Sequence, residues 1–264
     1  MTTAAFIGGG VMGSAILRSA LKSGLLRAEE IVVAEILPKR RAELENEFGV
    51  TTTDSAATAM KGATTVVAAL KPQDLAAAAT SAHGNPLVIS IMAGVSIKTL
   101  RESFGSGRIV RVMPNTPAAI GAGMSAWTAT DAVSGSDREF VGSLLSSLGQ
   151  HIYVSDEAKI DMATAVNGSG PGFIFLIMEA MVDAAVAVGL TRAQAEPLVR
   201  QTFLGSAAYA SENSASLADL KAQVTSPAGT TAAGLFELER LGVRGAIMAA
   251  VKAAHIRARE LGRS

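Results

Sequence analysis

The stretch Ala4-Ala5-Phe6-Ile7-Gly8-Gly9-Gly10-Val11-Met12-Gly13 restricts what this chain can fold into more than any other. An apolar run breaks into glycine and resumes as an amphipathic pattern, which reads as a strand, a phosphate turn and a helix. Gly8, Gly10 and Gly13 fit G-x-G-x-x-G. The first glycine permits the tight turn, the second lets backbone N–H groups approach a pyrophosphate, and the third lets helix pack on strand. The helix N-terminus then faces the anion with its partial positive charge. Ile7, Gly8, Gly9, Gly10, Val11 and Met12 are therefore candidate dinucleotide-binding residues. A glycine-rich turn with no ligand is the plain alternative, and the position between a strand pattern and a helix pattern argues against it.

Glu30 to Ala34 is a continuous apolar run of the kind found in parallel strands buried on both faces. It leads into Glu35, a carboxylate about 20 residues beyond the glycines, where such folds hydrogen-bond the ribose hydroxyls of NAD and repel the extra phosphate of NADP. Against that, Pro38-Lys39-Arg40-Arg41 opens the next helix with three cations able to hold a 2′-phosphate if Glu35 turns away. The residues leave NAD(H) or NADP(H) open. Further along, a helix over 38–48 closes at Gly49, and strands are expected at Val50 to Thr52 and Thr64 to Leu70, with a helix begun by Asp54 or Ser55 between them. Lys71-Pro72 ends the second of these where the carboxyl ends of parallel strands bind ligands, which makes Lys71 a site candidate. Strands at Leu87 to Ile91 and Arg108 to Met113 are followed by Met92-Ala93-Gly94-Val95-Ser96 and by Pro114-Asn115-Thr116-Pro117. The two prolines fix a loop whose side chains can hydrogen-bond a carboxamide or carboxylate. Met124 to Thr130, a helix near 136–148 and His151 to Val154 complete an α/β Rossmann dinucleotide-binding domain over residues 1–155.

Beyond residue 155 the strand patterns stop, and residues 156–264 read as an all-α C-terminal domain. Asn167-Gly168-Ser169-Gly170-Pro171-Gly172 is expected to interrupt two helical stretches, with Pro171 starting the second. Thr191-Arg192-Ala193-Gln194 is a capping box, and Ser226-Pro227-Ala228-Gly229-Thr230-Thr231 repeats the pattern of a small-residue turn before a helix. Phe173 to Leu190 has the length of a membrane span but carries Glu179 and Asp183, so it is read as a helix of a core or a subunit interface. Hydrophobic residues make up 49% of the chain but aromatics only 4%, which suits helices packed closely through small side chains. Lys+Arg and Asp+Glu are both 23, so no global field points to nucleic acid. There is no cysteine, and His83, His151 and His255 show no ligand spacing, so no metal site is expected. The opening residues carry no charged leader or cleavage pattern, from which a cytoplasmic location and no membrane partner are expected.

Taken in order, Phe6-Ile7-Gly8-Gly9-Gly10, Ala69-Leu70-Lys71-Pro72-Gln73, Ala93-Gly94-Val95-Ser96, Met113-Pro114-Asn115-Thr116-Pro117-Ala118, Gly168-Ser169-Gly170-Pro171 and Ser226 to Thr231 with Gly234-Leu235 resemble pyrroline-5-carboxylate reductase over nearly the whole chain. The resemblance implies reduction of Δ1-pyrroline-5-carboxylate to L-proline, with Ala69, Leu70, Lys71, Pro72, Ala93, Gly94 and Asn115 joining Ile7 to Met12 and Glu35 around NADP(H) or NAD(H). It implies that Ser226, Gly229, Thr230, Thr231 and Ser169 bind the substrate and that Thr231 meets its ring nitrogen. It also implies a homodimer, or an oligomer of dimers, in which each site takes its cofactor from one subunit and much of its carboxylate pocket from the other. Val11, Gly13, Asn167, Gly172-Phe173 and Ala228 depart from the family's usual residues, and Glu35 departs from the Ser, Asn or Arg that suit NADP. The alternatives are a related two-domain imine or β-hydroxyacid dehydrogenase, which would normally carry a catalytic lysine in its helical half, and a non-catalytic NAD(P)-sensing protein.

Overall fold

The structure, a computed structural model, describes residues 4–78 and 84–261; His83 lies outside them. The chain divides into two compact units, Met1–Pro171 with Ala253–Ser264, and Gly172–Lys252. The first contains all eight strands found among the described residues: β1 (Ala4–Ile7), β2 (Ile31–Ala34), β3 (Thr51–Thr53), β4 (Thr65–Ala68), β5 (Leu87–Ser90), β6 (Ile109–Met113), β7 (Gly123–Ala129) and β8 (Gly149–Tyr153). They form one sheet in the order β3-β2-β1-β4-β5-β6-β7-β8, in which β7 runs antiparallel to β6 and every other pair is parallel.

The continuous apolar runs are buried on both sides because helices cover both faces. Phe6, Val33, Val67, Ile89 and Val112 point to one face, where they meet Ile16 and Leu17 of α1 (Val11–Lys22), Leu44 of α2 (Pro38–Phe48) and Leu144 of α6 (Gly135–Ser146). Their neighbours Ala5, Ile7, Val66, Ala68 and Val88 point to the other. There they meet Ala59 and Met60 of α3 (Ala56–Met60), Leu75 of α4 (Leu75–Ala78), and Leu100 and Phe104 of α5 (Ile97–Phe104). The chain changes face on passing from β3 to β4, so the strand order reverses beside β1, and the carboxyl ends of β1 and β4 are the switch point at which folds of this kind bind ligands. Local signals act as expected. Gly49 ends α2 at φ +67°, and of the two candidate caps for α3 it is Ser55 whose hydroxyl accepts the Thr58 N–H.

Strands give way to helices after β8, but the first compact unit runs on to Pro171. Here α7 (Ala158–Ala163) packs against β6 and β7. The glycine-rich stretch that follows does not break the helix. Residues Thr164–Gly168 form a π turn, with Ser169 N–H donating to Thr164 C=O at 2.9 Å, and α8 (Gly170–Ala187) continues directly from it as part of one helix spanning Ala158–Ala187. Pro171 is the second residue of α8, in its first turn as expected. A proline lacks the N–H and crowds the carbonyl four residues earlier, and a widened turn just before it relieves both effects.

The second unit holds most of α8, then α9 (Arg192–Glu212), α10 (Leu217–Gln223), α11 (Thr230–Arg240) and the start of α12 (Val243–Leu261). The Thr191–Gln194 capping box is formed. Its own apolar cluster is small: Val182, Ala195 and Val199, with Met178, Ala185 and Phe203 packed against them. Phe175, Leu204 and Phe236 remain 61%, 65% and 66% exposed, so the apolar content of these helices is not consumed within the chain.

Candidate functional site

In the first unit, the segments after β1, β2, β4, β5 and β6 all emerge on the carboxyl edge of the sheet. Gly8 N–H donates to Ala34 C=O and Ala69 N–H to Ile7 C=O, both at 2.8 Å, so the glycine turn and the Ala69–Pro72 segment are tied side by side at the switch point. The glycines have separate causes. Gly8 has φ +101°, and a Cβ there would lie 2.6 Å from Ala69 O; one on Gly9 would lie 2.4 Å from Leu44 Cδ1, and one on Gly13 2.3 Å from Gly8 O. A Cβ on Gly10 meets nothing within 4 Å. Packing therefore explains Gly8, Gly9 and Gly13 but not Gly10, whose exposed backbone N-caps α1 with no side-chain hydrogen bond to the first turn. Those N–H groups, with exposed Val11 and half-buried Met12 beside them, form an anion-accepting end suited to a pyrophosphate.

Glu35 faces this turn. Its Oε2 accepts the Gly9 N–H at 3.1 Å and its Oε1 the Leu37 N–H at 3.0 Å. Lys71 is exposed and precedes the short turn Pro72–Asp74, next to half-buried Ala69 and Leu70. Ala93 and Gly94 follow β5, with Gly94 at φ +75°. Asn115 follows β6, and its Oδ1 accepts the Met124 N–H at 2.9 Å, so one end of that side chain holds the start of β7 instead of facing a ligand.

Two residues outside the expected site organise this edge. Asn167, in the π turn, donates from Nδ2 to Met113 O at 3.0 Å and Met124 O at 2.9 Å, bracing both ends of the loop that carries Asn115. Arg111, buried on β6, donates from Nη1 to Glu157 at 2.9 Å and from Nη2 to Asp161 at 2.5 Å. The same Glu157 oxygen accepts the Ile97 N–H at 2.8 Å, which holds the start of α5 just beyond Ala93-Gly94. A guanidinium inside the apolar run Arg108 to Met113 was the available signal for Arg111; nothing local marked Asn167.

In the second unit, Ser226 to Thr231 forms a tight turn into α11. Gly229 N–H donates to Ser226 O at 3.1 Å, and a Cβ on Gly229 would lie 2.3 Å from Ser226 Oγ. Ala228 takes φ +57°, a left-handed conformation that costs an L-residue roughly 1 kcal/mol and that a glycine would adopt freely. Gly229 N-caps α11 without a side-chain cap, so the first-turn N–H groups of Thr230 and Thr231 are oriented outward as in other anion sites. Ser226 is exposed and Thr231 half-buried. Ser169 belongs to the first unit, at the end of the π turn.

The family description "NADP oxidoreductase coenzyme F420-dependent" matches residues 3–94, and "Pyrroline-5-carboxylate reductase dimerisation" matches residues 157–261. The pyrroline-5-carboxylate reductase of Synechocystis sp. is 40% identical over 260 residues, covering 97% of either chain. The chain belongs to the pyrroline-5-carboxylate reductase family. Members of this family are NAD(P)-dependent oxidoreductases, and so is this chain. A solved pyrroline-5-carboxylate reductase from Coxiella burnetii superposes with a TM-score of 0.89 at 34% identity, covering 100% of this chain and 99% of that one. The Plasmodium falciparum pyrroline carboxylate reductase, solved with NADP bound, gives a TM-score of 0.88 at 30% identity over 99% and 98% of the two chains. Both the Rossmann half and the helical half thus have counterparts within this reductase family.

Proposed function

We propose that this reductase converts Δ1-pyrroline-5-carboxylate to L-proline with NAD(P)H, the last step of proline synthesis. Near-full-length identity to curated reductases carries the reading. When bound, the reduced nicotinamide supplies a hydride to the imine carbon. The chain itself binds, orients and moves a proton. Gly8 to Met12 hold the pyrophosphate at the start of α1, and Ala69 to Pro72, Ala93, Gly94 and Asn115 line the same edge. The first-turn N–H groups of α11 and the hydroxyls of Ser226, Thr230 and Thr231 take the substrate carboxylate, with Gly229 permitting the tight turn that presents them. Thr231 donates a hydrogen bond to the ring nitrogen as the C=N electron pair moves onto it. A threonine hydroxyl is a weak acid, so water relays the proton through it. Holding the two reactants in register accounts for most of the acceleration.

Incubation with pyrroline-5-carboxylate and each reduced nucleotide, followed by absorbance of the nicotinamide, tests the activity directly; no consumption with either would refute it. Thr231→Ala removes one hydrogen bond made to the reacting nitrogen. A fall in kcat of roughly tenfold to a hundredfold is expected, about 1.5–3 kcal/mol, with the dissociation constant for NAD(P)H near wild type. Equal loss of cofactor binding would make the residue structural.

The chain self-associates through the matched dimerisation region. We assign a homodimer in which residues 156–264 serve for substrate binding and pairing. Among the described helices, Ala158–Ala187 is the one long and apolar enough to cross a membrane, and little of it is buried within the chain. A second copy covering Phe175, Leu176 and their neighbours accounts for this without a bilayer. Sedimentation at micromolar concentration should show no free monomer; a well-folded monomer would remove the proposal. We further propose a cytoplasmic location, which the small soluble substrate supports.

A further inference from the structure

The corner of such a fold that distinguishes NADH from NADPH is the one beyond the carboxyl end of β2. Two arrangements compete there: a carboxylate facing the adenosine ribose, or a cation cluster facing a 2′-phosphate. The second needs Glu35 to turn away and Lys39, Arg40 or Arg41 to be available. Glu35 has not turned away, and Arg40 is not available. Glu35 is held in place by two backbone donors, Gly9 N–H at 3.1 Å and Leu37 N–H at 3.0 Å, which keeps its negative charge against the glycine turn. All three guanidinium nitrogens of Arg40 are engaged: Nε with Gly9 O at 2.9 Å, Nη1 with Glu43 at 2.8 Å and Nη2 with Ser14 Oγ at 2.6 Å. Arg41 donates from Nη1 to the carbonyls of Glu35 and Ile36, at 2.9 and 3.1 Å. Lys39 is the exposed member of the three.

The geometry points to a site selective for NADH over NADPH, with Glu35 as the specificity-determining residue and Arg40 as the brace of the glycine turn rather than a phosphate ligand. This rests on the reading of residues 7–13 as the dinucleotide turn. A carboxylate locked by two N–H groups has lone pairs left to accept the ribose 2′- and 3′-hydroxyls. A 2′-phosphate in the same place brings like charges together, with Arg40 committed elsewhere and unable to offset them.

The test is direct binding with the full-length protein, by calorimetric titration of NADH and NADPH and, separately, of ADP-ribose and its 2′-phosphate, which differ only in the deciding group. The wild type is expected to bind the unphosphorylated member of each pair at least tenfold more tightly. In Glu35→Gln and Glu35→Ser that ratio should fall roughly tenfold. General damage to the turn cancels in the ratio, since it weakens both ligands alike. Equal or tighter binding of the phosphorylated member by the wild type, or a ratio unmoved by both substitutions, overturns the inference while leaving the dinucleotide site intact. Binding of none of the four overturns the site itself, and the inference with it.

Discussion

Gly10→Glu is expected to leave thermal stability close to that of the wild type while NAD(P)H affinity falls on the order of a thousandfold, the equivalent of about 4 kcal/mol for two like charges roughly 4 Å apart near a protein surface. The two halves of this expectation have separate grounds. Gly10 sits at φ −67°, ψ −171°, an extended conformation that any residue adopts, and a Cβ there meets no atom within 4 Å. A carboxylate beside the start of α1 also agrees with the helix dipole. The same position lies against the N–H groups that face the pyrophosphate, so the new carboxylate occupies the anion's place with the anion's charge. Thermal unfolding and cofactor titration on the same preparation check both halves. Unchanged affinity would mean that the nucleotide does not use this turn. A loss of affinity matched by a loss of stability would mean that Gly10 is a packing glycine like Gly8.

Arg111→Met should lower the free energy of unfolding by about 3 kcal/mol, measured by denaturant titration at fixed protein concentration. The Arg111 side chain is only 3% exposed, and its Nε, also buried, has no hydrogen-bond partner, so its charge is balanced by Glu157 and Asp161 alone. Removing it sets two carboxylates, 35% and 18% exposed, beside an apolar side chain with no cation between them. They can draw in some water, which puts the cost at the lower end of the range of about 3–5 kcal/mol for breaking such a pair. The triple replacement Arg111→Met, Glu157→Gln, Asp161→Asn should recover most of the loss, because no uncompensated charge remains. A single-variant cost below about 1 kcal/mol, or a triple variant as unstable as the single one, would show that the cluster is solvated and energetically idle.

The parts of this protein that its sequence determined by itself are those written in short-range code. Glycine spacing after an apolar run, continuous Val, Ile and Ala runs, Gly49 at a helix end and the Thr191–Gln194 box each depend on residues a few positions apart, and each forms as read. The all-α second half and its surplus of apolar surface were likewise visible, since they follow from composition and period. Long-range approach decided the rest. Whether Glu35 turns toward the glycines depends on the Gly9 N–H, 26 residues away, and whether Arg40 is free depends on Ser14, also 26 away. Asn167 reaches back 54 residues to Met113, and Arg111 forward 50 to Asp161, so neither role is visible in its own neighbourhood. The π turn belongs to the same class. Glycine and proline propensities favour a break at Asn167 to Gly172, but packing of α7 on β6 and β7 and the Asn167 braces hold the backbone helical through it, because tertiary contacts outweigh a local preference of about 1 kcal/mol per glycine.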